Sequence, residues 1–451
     1  MNLYPPGPKL SRLDGFMLAT RRRDPLAFLM KLARDYGDIV HFEIGPRHVF
    51  LLNHPDYIRD ALNAHYQYFL KGPPRRQTRH FLGEGLVTSD GDFHRRQRRL
   101  VKPAFHKQQV TAYEGVMMDH IMRLCESWQD GQEIEMMREM KCLTMAIIGS
   151  LLFSIETRPE ADEINEAVEL VFSQFTPFGS PFRNLLARLP MSRVRRIHKA
   201  QAHLDAIIRR IIAERRHSGE DCGDLLSMLI RAQDEAEPGA AMTDVNVRDE
   251  ALTLFLSGHE TMAMALTWTW YLLAQDHEVE AKLQAEIDDV LGAGPPSLAA
   301  VSELHYAKMV FTEAMRLYPP AWCIVRYVIK DYEVGGYAMP AGSTVIMSQY
   351  VMHRDERYFP DPSRFDPQRW TPEAKSARPQ YSYFPFGGGP RVCVGDALAW
   401  AEGVLILASL AQRWRMHLPP GHNVTAKPMI ALVPKHGMPM ILEQREASSD
   451  T

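Results

Sequence analysis

The chain has 451 residues, 45% hydrophobic and 24% charged, the balance of a globular protein with a large core. A formal net charge of −3 gives no electrostatic reason to expect nucleic acid or an anionic membrane as a partner. The five cysteines, at 125, 142, 222, 323 and 393, form no C-x-x-C pair; that spacing excludes a zinc knuckle or redox pair and predicts reduced thiols in a cytoplasm.

The first ten residues, MNLYPPGPKL, are turn-rich and lack the charged region and apolar run of a targeting segment. Residues 39–53 are β-rich around a Gly-Pro turn and predict a hairpin. Helical spacing covers 108–150, 160–178 and 191–216, with a loop at 176–182. No proline falls between Pro238 and Pro295, and Thr243 or Asp244 is a suitable cap, so a helix is predicted from there to about Ala274. At 1.5 Å per residue it is roughly 45 Å long and must cross most of the molecule. Its apolar stretch carries His259 and Glu260 at the centre, where a bilayer would exact a heavy cost, so it reads as a buried helix and not a membrane span. A second helix is expected over 277–291, and a second hairpin over 331–347 turning at Gly335-Gly336. Residues 354–392 are loop-rich, a helix follows Cys393 to about Trp414, and the tail predicts short strands. The class is mainly α, with β-rich parts at about 39–53, 324–347 and 429–445. Length alone predicts two domains.

Within the loop-rich stretch lies FPFGGGPRVCVG, 384–395. Most cysteines among apolar neighbours are small buried hydrophobes. A thiolate that holds a haem iron needs more: backbone N–H groups aimed at sulfur from a glycine-rich turn, and the N-terminus of a following helix. Cys393 has both in sequence. Phe386-Gly-Gly-Gly-Pro-Arg391-Val-Cys393-Val-Gly395 resembles the haem-ligand signature of the cytochrome P-450 superfamily, Phe-x-x-Gly-x-Arg-x-Cys-x-Gly, at every fixed position, and Ala399 and Glu402 continue the pattern. The resemblance implies Cys393 as iron ligand, Phe386 over its sulfur side, Gly395 for close backbone approach and Arg391 against a haem propionate.

Three further segments extend it. Glu313 and Arg316 share a helix face; alone, such a pair is usually a solvated ion pair of little value. The family carries Glu-x-x-Arg here, joined by an arginine that corresponds to Arg369 in DPQRW, which implies a structural triad; Gln368 and Trp370 depart from the commonest form. LSGHETM, 256–262, would by itself be a helix interrupted by satisfied polar groups, and the zincin H-E-x-x-H fails because residue 263 is alanine. Its likeness to the family's oxygen-activating motif implies that Thr261 hydrogen-bonds dioxygen, Glu260 relays protons and Gly258 leaves room for the oxygen; Met262 departs from the family's usual Thr or Ser. The basic stretch 90–105 offers His94 and Arg98 where the family has Trp-x-x-x-Arg, and Arg326 matches another propionate contact.

The resemblance spans about residues 5 to 445 and replaces the two-domain expectation with a single triangular, mostly helical P-450 domain, a monomer in the cytoplasm. It implies a haem b monooxygenase that inserts one atom of O2 into a C–H bond or alkene of a lipophilic substrate. No G-x-G-x-x-G or phosphate loop is found, which implies no bound flavin and electrons from a ferredoxin or flavodoxin with its reductase. Arg95, Arg96, Arg99, Lys102 and Lys107 would form the docking patch. The pocket would be lined by about 72–87 and 170–186, with Phe255, Ala321, Trp322, Ile324 and Leu432. A peroxide-driven peroxygenase would not need the Glu260-Thr261 pair, and a non-catalytic haem sensor would not need an oxygen-activating helix.

Overall fold

The computed structural model describes residues 4–10, 24–72, 79, 82–154, 192–234 and 241–445. The helix expected at 160–178 and the candidate lining at 170–186 lie outside them.

The major helices are α1 (Pro25–Tyr36), α2 (Gly91–Val101), α3 (Glu114–Ser127), α4 (Met136–Phe153), α5 (Ser192–Ser218), α6 (Leu225–Arg231), α7 (Asp244–Leu273), α8 (His277–Leu291), α9 (His305–Leu317) and α10 (Asp396–Arg413). The expected single helical stretch at 108–150 is instead broken before α4. Gly131 turns at φ +73°, and Glu133–Glu135 forms strand β4, because the chain there pairs with the C-terminal strand.

Helix α7 is the axis of the molecule. Thr243 caps it in a reciprocal box with Asn246, and 30 residues follow without a break. It is buried nearly all round, as a helix at the centre of a core must be. α4 packs closely along it: a Cβ at Gly258 would stand 3.0 Å from the Ile148 side chain, and Thr144 Oγ1 donates to the His259 carbonyl at 3.0 Å. The glycine tolerated in mid-helix thus serves the approach of two helices.

Strands β1 (Ile39–Ile44), β2 (Arg47–Leu52), β3 (Phe69–Leu70), β5 (Ile324–Val328) and β8 (Thr344–Met347) form one sheet in the order β1-β2-β8-β5-β3. Only β2 and β8 run parallel. β6 (Tyr332–Val334) and β7 (Tyr337–Met339) form the second hairpin, with Gly335 and Gly336 both at positive φ as a two-residue turn requires. The rest of the predicted 331–347 hairpin is β8, which pairs elsewhere. At the C-terminus, β9 (Trp414–His417) and β4 flank β12 (Pro439–Gln444), while β10 (Ala426–Pro428) pairs with β11 (Leu432–Pro434). One core cluster surrounds α7; two smaller ones lie on either side of the five-stranded sheet.

Candidate functional site

Cys393 sits just before α10. Its backbone N–H donates to the Phe386 carbonyl at 2.9 Å, closing the glycine-rich turn. Phe386 itself packs against Trp400, ring centroids 5.6 Å apart. Burial raises the thiol above its usual range, against the Gly395 N–H and the Arg98 charge, which both favour the thiolate. The sulfur-bearing residue is itself exposed.

Helix α7 shows a matching opening. Between residues 250 and 270 only Ser257, Gly258 and Thr261 escape burial, and their spacing places them on one face. Thr261 Oγ1 donates to the Ser257 carbonyl at 2.7 Å. Glu260 points to the enclosed side, its carboxylate 3.9 Å from Lys141 Nζ and 3.7 Å from His259 Nε2. Burial, helped by Lys141, pushes the fully enclosed His259 down to about 4, so it is neutral near pH 7.

Around the cysteine turn the buried charge is cationic. Arg391 Nη2 donates to the Ser89 carbonyl at 2.9 Å and ion-pairs with Asp90, yet its Nη1 is buried with no hydrogen-bond partner among the described residues. Burial first, and then the nearby Arg98, bring Arg391 down to about 10. Arg98 Nη1 donates to the Val392 carbonyl at 2.7 Å. His94 and Arg326 are both buried. Two guanidiniums that repel one another, one with an orphaned donor, suit a ligand bearing two carboxylates. Together with an exposed cysteine, these residues fit haem.

The expected triad takes another form of the same chemistry. Glu313 and Arg316 are fully buried and bidentate, at 2.8 Å for both contacts. Arg316 also donates to the carbonyls of His353, Pro362 and Arg364. Arg369 Nε lies 3.3 Å from Glu313. Sequence reasoning missed the fourth member: Trp370 Nε1 donates to Glu313 Oε2 at 2.8 Å, which explains its presence where the motif departs. It also missed Asp90 and Lys141, which no local pattern announces.

Some pocket candidates need correcting. Trp322 is 1% exposed and its indole donates to the Met429 carbonyl; Leu432 is wholly enclosed, and its carbonyl accepts from Trp268 Nε1. Phe255 is buried between Phe153 and His259. All three fill cores, because their neighbours come from distant segments. Ala321 is exposed and Ile324 half-buried, so both can meet a ligand. A separate cavity of about 540 Å³, lined by Arg99, Lys102, Arg231 and Asp234, carries none of the residues expected to react.

Comparison with known proteins agrees with this arrangement. A family model described as Cytochrome P450 matches residues 5–439. Cyclooctatin synthase from Streptomyces melanosporofaciens is 41% identical over 412 residues, covering 91% of this chain and 89% of that protein. Cyclooctat-9-en-7-ol 5-monooxygenase from the same organism is 36% identical over 410 residues, covering 91% and 88%. The solved haem domain of cytochrome P450DA superposes with a TM-score of 0.89 at 24% identity over 99% of both chains, a likeness of fold.

Proposed function

Because this chain belongs to the cytochrome P450 family and is a haem-thiolate monooxygenase, we propose that Cys393 is its iron ligand and that the open face of α7 is where oxygen and substrate meet. The observation that carries this is the cysteine turn: an exposed cysteine at the head of α10, with the Gly395 N–H on its sulfur, the Arg98 charge nearby and a buried Arg391 nitrogen without a hydrogen bond. Bound haem supplies the redox chemistry that splits dioxygen.

The chain's own residues do the rest. Arg98, Arg326, Arg391 and His94 would hold the two propionates, while Phe386 and Gly395 would shape the turn around Cys393. Thr261 presents a hydroxyl on the open face, and its bond to the Ser257 carbonyl leaves its oxygen able to accept. Glu260, enclosed beside Lys141, passes protons to that hydroxyl from the far side of α7. Gly258 sets the spacing of α7 against α4. The whole chain works as one domain.

The substrate is a lipophilic carbocycle, of the terpenoid kind that the name cyclooctat-9-en-7-ol describes for a relative, lying over Ala321 and Ile324. Electrons come from a ferredoxin or flavodoxin with its reductase, in the cytoplasm. No helix among the described residues is long and apolar enough to cross a membrane. The docking patch is smaller than five cations: Arg96 and Arg99 share the buried Asp234, and Arg95 pairs with Asp92. Lys102 and Lys107 remain exposed beside them.

The test is the reduced carbon monoxide spectrum. Cys393→Ser should lose the red-shifted Soret band while Cys323→Ser keeps it. A Cys393→Ser protein that retains the band overturns the assignment.

A further inference from the structure

The β1–β2 hairpin carries a group of side chains for which the monooxygenase reaction has no use. Gly45, at φ +61°, and Pro46 make a two-residue turn. The register then sets Glu43 directly opposite His48, and His41 lies two residues before Glu43. In a pleated strand that spacing puts all three on one face. His41 Nε2 stands 3.0 Å from His48 Nδ1, and His48 Nδ1 stands 3.5 Å from Glu43 Oε1. The three donor atoms lie within 4.8 Å of one another, and this is the single such group among the described residues.

We propose that His41, Glu43 and His48 form a binding site for a divalent transition-metal ion of the Zn²⁺ class, held by two imidazoles and one carboxylate with water completing the shell. Tetrahedral Zn²⁺ with bonds of about 2.0–2.2 Å keeps its ligand atoms about 3.3–3.5 Å apart, and the observed 3.0 and 3.5 Å bracket that span. One of the two facing nitrogens carries the hydrogen of their bond, so that ring moves its proton to its other nitrogen and both rings turn toward the common centre. Two imidazoles with one carboxylate suit such an ion better than Ca²⁺ or Mg²⁺, which take oxygen ligands.

The site is built rather than incidental. The Tyr4 ring stacks on both imidazoles, with centroids 4.5 Å from His41 and 5.0 Å from His48. The His41 N–H donates to the Pro6 carbonyl at 3.1 Å. A Cβ at Gly7 would collide with the His41 carbonyl, at 1.7 Å, so the N-terminal segment lies tight against the strand. Stacking covers ring faces and leaves the in-plane lone pairs clear. A bound ion would tie β1 to β2 at the sheet edge and, through Tyr4, would brace the N-terminal segment.

Tag-free holoenzyme is dialysed against Zn²⁺ and the bound metal is counted against haem iron. One equivalent of Zn²⁺ per chain is expected, accompanied by a rise in Tm. His41→Ala and His48→Gln should each weaken binding by about 10-fold or more, and Glu43→Gln should weaken it too, with the haem spectrum unchanged. If His41→Ala fails to fold, His48→Gln and Glu43→Gln, at less enclosed positions, carry the test. No bound equivalent in the wild type, or equal affinity in the variants, overturns the proposal.

Discussion

Two regions of this molecule bury arginines, and they differ in how the charge is met. Around Glu313 the donors converge on one carboxylate: Arg316 makes two bonds to it and three to carbonyls, and Trp370 and the Asp366 N–H add two more, while Arg369 Nε stands 3.3 Å away in an ion pair without a hydrogen bond. Around Cys393, Arg391 keeps an orphaned nitrogen and a second guanidinium stands close by. A buried polar group without a partner is costly and persists where something else completes it. The first region is read as a fastening of the fold, and the second is the place proposed above for the cofactor's carboxylates. Motifs of equal strength in sequence are separated by how many of the chain's own acceptors meet the buried charge.

The contrast is most directly broken at Glu313. Glu313→Gln leaves Arg316 buried without its countercharge, and should lower stability by about 3–5 kcal/mol. Urea denaturation of the holoenzyme measures this; a loss under 1 kcal/mol would mean that the region is not a fastening.

Trp370→Phe removes one donor from the same carboxylate while keeping the ring. The expected loss is about 1–3 kcal/mol, read from the shift of the urea midpoint, with the spectrum of the bound haem unchanged.

Glu402 supplies the opposite case, a carboxyl enclosed in α10 that burial alone pushes up to about 8. Its unfolded value is near 4.3, so across this window the native state holds a proton that the unfolded chain has released. Its contribution is fully present below about pH 4 and is lost as pH rises toward and through 8. Stability should fall by about 2 kcal/mol between pH 6 and 8 on this account, and Glu402→Gln should flatten the profile by that amount. Paired urea titrations at the two pH values check it.

Thr261→Ala sharpens the comparison from the open side. Its hydroxyl bonds only along its own helix, so stability should change by less than about 0.5 kcal/mol. Product formed per reductant consumed should fall, with electrons diverted to peroxide or water. Full coupling in the variant would remove Thr261 from the reaction.

Much of this was legible in the sequence because it is set by local chemistry. The cap at Thr243 and the proline-free run fixed α7, paired glycines fixed the β6–β7 turn, and the ten residues around Cys393 identified the family. What the sequence could not decide is which side chains find partners far along the chain. Trp322 and Leu432 read as apolar lining, yet Leu432 receives a bond from Trp268, 164 residues away, and both fill a core. Arg96 and Arg99 read as a free basic patch until Asp234 folds beneath them. That Ile148 of α4 packs against Gly258 was likewise not legible in the sequence. Turn and helix signals act over a few residues and survive in any context; burial and charge pairing depend on which distant segments meet, so only the tertiary structure settles them.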